Sequence, residues 1–198
     1  EQLGGVAPEL AQGGLDALQA SRTAARSDDA GQPVLLADQD RSRWDQGLIA
    51  LGMAALERAR SIAPAAGRYR LQAEIAACHT RAARAEDTDW HRVTTLYGEL
   101  MRVAPSPVVE LNRAVAVGMA EGPAAALALL TPLLQNPALA RYHWLPAVQA
   151  DLLARLGRSS QARTALLHAA ALSTNEREKA LLLARADALP AADSTTGN

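Results

Sequence analysis

Residues 145–172 read LPAVQADLLARLGRSSQARTALLHAAAL, and this stretch limits the possible folds more than any other. Leu145, Val148, Leu152 and Leu156 recur at three- and four-residue intervals, the spacing that builds one apolar stripe on an α-helix. Gly157 follows, and glycine most readily takes the left-handed conformation that closes a helix. Ala162, Leu166 and Ala169 then share one face of a second helix. With small residues at Ala150, Ala162 and Ala169 the two backbones can approach closely, so an antiparallel helical hairpin turning at Leu156-Gly157-Arg158 is expected. The spacing recurs. Gly122 lies 35 residues before Gly157, and Ala116 and Ala128 lie 34 residues before Ala150 and Ala162. One such hairpin cannot bury its own apolar face, whereas a stack of them can.

Small residues around a glycine turn, repeated at this period, resemble the tetratricopeptide (TPR) hairpin. The match is partial: Pro146, Leu153 and Leu166 fill the large aromatic positions, and Thr174 stands where a closing proline belongs. The expected fold is all-α, a TPR-like superhelix of stacked antiparallel hairpins with roughly eight or nine helices. Residues 1–37 are expected to form an N-terminal helix and extended linker, 38–189 the helical domain, and 190–198 a frayed tail.

Along the chain, the pattern predicts a first helix over 8–26, weakened at Gly13-Gly14, and a short extended piece over 33–38. Ser42 and Asp45 read as a capping box for a helix that buries Trp44, Leu48, Leu51, Ala55, Leu56 and Ile62. A helix over 69–83 places Leu71, Ile75 and Cys78 inside. Asp89 caps the next, which carries Trp90, Val93, Tyr97, Leu100 and Met101. Ser106-Pro107 marks another start, for Val108, Leu111, Val115 and Met119, and Pro123 opens a helix to about residue 134. Ser173 and Glu176 read as the capping box of a last helix over 175–189.

A net charge of −1 does not mark the chain as a nucleic-acid or acidic-membrane binder. One cysteine precludes an internal disulfide and points to a reducing, cytoplasmic compartment. No apolar run reaches the ~18 residues of a membrane span, and no signal peptide is visible. The first residue is Glu1 rather than methionine, so a fragment is expected, with other chemistry upstream.

Candidate chemistry is sparse. Cys78-His79 could pair a nucleophile with a base, but neighbours on a helix point about 100° apart. A small buried thiol beside a partly exposed imidazole is the expected reading. The four histidines lack metal-ligand spacing, the acidic pairs lack a calcium-loop glycine, and no phosphate-binding glycine loop is present. Neither enzyme activity nor a cofactor is expected. Arg41 and Arg43 exceed what capping needs, so they either form ion pairs within the domain or reach a partner. Asn112 and Arg113 interrupt an apolar helix, and such polar groups often line the inner groove of stacked hairpins. From Arg58 to Arg84 the only acid among several arginines is Glu74, which makes a solvated basic face or a seat for an acidic partner.

The segments LLADQDRSRWD, YRLQAEIAACHTRAARAEDTDW, SPVVELNRAVAVGMAEGPAAALALL and YHWLPAVQADLLARLGRSSQAR, in that order, resemble one bacterial family. It is the extracytoplasmic-function (ECF) sigma factors that carry a C-terminal TPR-like extension. The resemblance implies an accessory interaction domain that regulates or supports transcription initiation. Its implied partners are the protein's own sigma regions 2 and 4, RNA polymerase, and a signalling protein, with no direct DNA or membrane contact by this portion. Asp38, Asp40, Arg41, Arg43, Asn112 and Arg113 are then the expected partner-binding residues. The rival reading is a stand-alone TPR-type scaffold for a peptide or protein, unrelated to transcription.

Overall fold

A computed structural model describes residues 3–29, 31, 34 and 36–190. Among these residues there are nine α-helices and no β-strand. The helices are α1 (Leu3–Ala20), α2 (Gln46–Ile62), α3 (Arg68–Arg81), α4 (Trp90–Val103), α5 (Pro107–Ala120), α6 (Pro123–Leu133), α7 (Trp144–Arg155), α8 (Ser159–Leu172) and α9 (Glu176–Ala188). None of them is long and apolar enough to cross a membrane. The contacts divide the chain into two compact units, Glu1–Pro105 and Ser106–Asn198. The break therefore falls at Pro105 rather than between residues 37 and 38. The reason is that α1 is no detached leader: Leu15 and Leu18 bury against Leu56 of α2 and Ala73, Ala76 and Ala77 of α3. Of the expected tail, residues 191–198 lie outside the described residues.

In the first unit α1 runs unbroken through Gly13-Gly14 and stops at Ala20, short of the expected residue 26. The glycine does not weaken the helix; it lets two helices meet. A Cβ on Gly14 would lie 3.1 Å from the Gly52 carbonyl oxygen of α2, and one on Gly52 would lie 2.9 Å from the Gly14 oxygen. This close approach turns Gly52, Leu56 and Ala59 inward and leaves Leu51, expected inside, 61% exposed. The cap of α2 also differs from expectation. Asp45 alone accepts from Leu48 N at 2.9 Å, so Trp44 is buried ahead of the helix rather than on it. Ser42 belongs instead to a 3₁₀ turn, Arg41–Arg43, capped by Asp40. α3 is the central helix of this unit, packed by α1, α2 and α4 and buried from Ala73 to His79. α4 begins at its expected cap, Asp89, and sends Val93, Leu96 and Leu100 inward. Each such fully buried side chain is worth about 1.5–3 kcal/mol relative to exposure.

The second unit is a sequential stack in which α5 to α9 each pack on the next. Ser106 caps α5 with Pro107 in its first turn, and Pro123 opens α6. α7 is two-sided. Leu145 and Leu152 join Leu111, Ala126 and Leu130 of α5 and α6, whereas Ala147 and Ala150 join Ala165, Leu166 and Ala169 of α8. Leu156, assigned to the buried stripe from its spacing, is 37% exposed because the helix already ends there. Gly157 has φ +72°; its N–H bonds to Ala154 O and that of Arg158 to Leu153 O, a Schellman closure of α7. The last cap is shifted by two residues. Asn175 accepts from Arg177 N and Glu178 N, and Ser173 Oγ donates to Glu178 Oε2 at 2.7 Å instead of joining Glu176 in a capping box.

Candidate functional site

Only part of the expected partner-binding set is free to meet a partner. Asp40, exposed, spends its carboxylate on Ser42 N and Oγ at 2.9 and 2.6 Å, which holds its pKa below the usual carboxylate range. Arg41 is a clamp. Its Nη1 donates to His79 O and, at 2.6 Å, to Ala82 O, two carbonyls at the C-terminal end of α3. Its Nη2 lies 3.4 Å from Thr88 Oγ1, and its guanidinium sits 4.9 Å from the centre of the Trp44 ring. A cation at this end satisfies carbonyls that the helix leaves without donors. Asp38 and Arg43 are exposed, and their side chains make no hydrogen bond or ion pair among the described residues. Asn112 is likewise exposed on α5, whereas Arg113 pairs with Glu110 at 3.0 Å on the same helix. The first four residues belong to the first unit and the last two to the second.

The basic region from Arg58 to Arg84 is satisfied more than its composition implies. Arg60 bridges α2 to the largely buried Glu74 of α3 and also binds Glu57 at 2.7 Å, which raises its pKa further. Arg70 donates to Ala63 O and, at 2.8 Å, to Pro64 O. Arg84 holds Asp87 at 3.1 and 3.2 Å.

Around Arg41 lies a polar node that the sequence reading missed. His79 was expected to be partly exposed, but it is 8% exposed, because helices cover α3 on several sides. Its ring meets Trp90 edge-on at 5.3 Å. Burial, followed by the charges of Arg22 and Arg41, lowers its pKa to about 4, so it is neutral at pH 7. Burial pushes the neighbouring Cys78 thiol up, which keeps it protonated and a poor nucleophile. Tyr97 is raised by burial, with Arg22 opposing. Six buried polar atoms of the first unit lack a hydrogen-bond partner among the described residues: Gln39 Oε1, Arg41 Nε, Trp44 Nε1, His79 Nδ1, Trp90 Nε1 and Thr94 Oγ1. The available signal was the spacing of Trp90, Thr94 and Tyr97, which places them on one face of α4. No group of three or more histidine, cysteine or acidic side chains among the described residues is placed to hold a metal ion.

Residues 10–60 match the model of a family described as of unknown function, DUF6596. That span covers the C-terminal part of α1, most of α2 and the Arg41 turn between them. The chain is also similar to an uncharacterized protein of Rhizobium meliloti (strain 1021), 46% identical over 179 residues. The match takes in 90% of this chain but 41% of that protein, so the chain spans about two fifths of its relative's length. No solved structure matches the chain.

Proposed function

We propose that this chain is the accessory region of an ECF sigma factor, a helical interaction module that governs transcription initiation by contact with sigma regions 2 and 4, RNA polymerase or a signalling protein. The observation that carries the reading is how two blocks of the resemblance fold together. LLADQDRSRWD supplies Arg41 and Trp44, and YRLQAEIAACHTRAARAEDTDW supplies His79, Ala82, Thr88 and Trp90, which Arg41 and its neighbours join into one node. Within the first block the roles divide: Arg41 and Asp40 build the turn, and Asp38 and Arg43 are presented by it. A relative more than twice as long leaves room for further domains beyond the matched part. Stacked helical hairpins offer surface rather than a reactive centre, which suits regulation by docking.

The test is transcription from a cognate promoter with Asp38→Ala, Arg43→Ala and Asn112→Ala in the complete sigma factor. At least one should change transcription severalfold while the unfolding midpoint stays within about 1 °C, since surface changes cost little stability. Three variants with unaltered transcription and unaltered folding would remove these residues from the interface.

A further inference from the structure

Beside the Arg41 turn the first unit carries an open cleft of about 360 Å³, between the start of α2 (Gln46, Ile49) and the end of α3 (Thr80, Arg81). Arg41 and Trp44 form part of its wall. The charge of that wall is one-sided: two arginines line the cleft, and no acid does among the described residues. The acids closest to these residues in sequence are already engaged. Asp40 binds Ser42, Asp45 accepts from Leu48 N, and Glu86 and Asp87 are held by Arg84. Arg81, in contrast, is exposed, and its side chain makes no hydrogen bond or ion pair among the described residues. In this it differs from Arg60, Arg70 and Arg84 of the same basic region. The negative end of α3 is offset, because Arg41 already binds the His79 and Ala82 carbonyls, and α2 begins at the cleft with its positive end.

Two side chains of the wall also hold donors without acceptors. Trp44 is 4% exposed, and its Nε1 has no partner. Arg41 donates through Nη1 to α3 and through Nη2 to Thr88 at 3.4 Å, but its Nε has no partner either. The two belong together, with the guanidinium 4.9 Å from the centre of the Trp44 ring. Buried donors are nearly always paired, so these two call for an acceptor. We propose that the cleft takes one acidic side chain of a protein partner, its carboxylate lying between Arg81 at the mouth and the Arg41–Trp44 pair in the wall. Guanidinium–carboxylate pairs are charge-assisted, and the planar fork of an arginine matches the two oxygens of such a group. That the acid belongs to a protein rests on the docking role proposed above; the cleft adds the chemistry by which the partner is recognised.

The complete 198-residue chain tests it. Its three tryptophans, Trp44, Trp90 and Trp144, give three indole N–H signals in a nitrogen-15 correlation spectrum. Trp90→Phe and Trp144→Phe identify two of them and leave that of Trp44. The blocked glutamate N-acetyl-glutamate α-amide is titrated at pH 7 against N-acetyl-glutamine α-amide and potassium phosphate, all at equal ionic strength. The Trp44 signal should shift saturably with the glutamate derivative and stay in place with the glutamine one, while the Trp144 signal moves with neither. Arg81→Met, or Arg81→Gln if the first does not fold, should weaken binding at least about tenfold and melt within about 1 °C of the parent. A saturable response to phosphate alone would make the cleft an inorganic-anion site and overturn the proposal. So would no saturable shift with the glutamate derivative, an equal response to the glutamine derivative, or full binding in a folded Arg81 variant. No polymerase or promoter takes part, so failure here is distinct from failure of the transcription test.

Discussion

Gly52→Ala is the sharpest probe of how α1 and α2 meet. In an exposed helix this change gains about 1 kcal/mol, because alanine loses less backbone freedom on folding. Here the added methyl would lie 2.7 Å from Leu18 Cγ and 2.9 Å from the Gly14 carbonyl oxygen. Leu18 is fully buried, and the oxygen belongs to the backbone of α1, so neither yields without shifting a helix. Overpacking of this kind costs about 1–3 kcal/mol, at the upper end where backbone must move. The net expectation is a loss of about 1–2 kcal/mol after the propensity gain is subtracted. Gly13→Ala is the control: its methyl would meet nothing within 4 Å, so it should stabilise by about 0.5–1 kcal/mol. Urea unfolding in a Trp144→Phe background reads the first unit through Trp44 and Trp90. A Gly52→Ala protein as stable as its parent, or a Gly13→Ala protein destabilised as much, would refute the close-approach argument.

Arg41→Ala should cost the first unit about 3 kcal/mol by freeing the His79 and Ala82 carbonyls and uncovering Trp44, and Arg41→Lys should not restore it; urea midpoints decide both. His79 gives stability a pH dependence of defined sign. Its folded pKa of about 4 lies below the ordinary 6.5, so between those values the unfolded chain binds a proton that the native chain does not. Stability from this group is therefore complete above about pH 6.5 and falls toward pH 4, by about 3 kcal/mol in total. His79→Gln should flatten that slope in urea titrations run from pH 4 to 7. Gly157→Ala should destabilise the second unit by about 1 kcal/mol, because φ +72° is strained for any residue with a Cβ, and Trp144 fluorescence reads it.

The helix inventory was legible because caps and prolines state it locally. Asp89, Ser106 with Pro107, and Pro123 all open the helices expected of them. The turn at Gly157 was legible for the same reason. What periodicity misjudged was which stripe of an alanine-rich helix faces inward. In α2 the bulky Leu51 was favoured over Gly52, yet where two backbones meet, the residue that fits inside is the smallest one. Capping boxes failed where several candidate oxygens crowd together, since Asp45 and Asn175 took the roles assigned to Ser42 and Ser173. The clamp of Arg41 could not be read at all. Its acceptors include backbone carbonyls 38 and 41 residues away, and every residue type carries such a carbonyl. His79 escaped for a related reason: its burial is set by three other helices rather than by its own neighbours in sequence.

The proposed role in transcription is tested most directly by initiation from a cognate promoter, comparing the complete sigma factor with a form lacking this region. Folding of the shortened form is verified by circular dichroism. The account predicts a severalfold change in transcript: a fall if the region supports initiation by docking, a rise if it restrains the sigma regions until a signal displaces it. Equal transcript from the two proteins, both folded and at equal concentration, would contradict a regulatory role and leave this chain a scaffold unconnected to transcription.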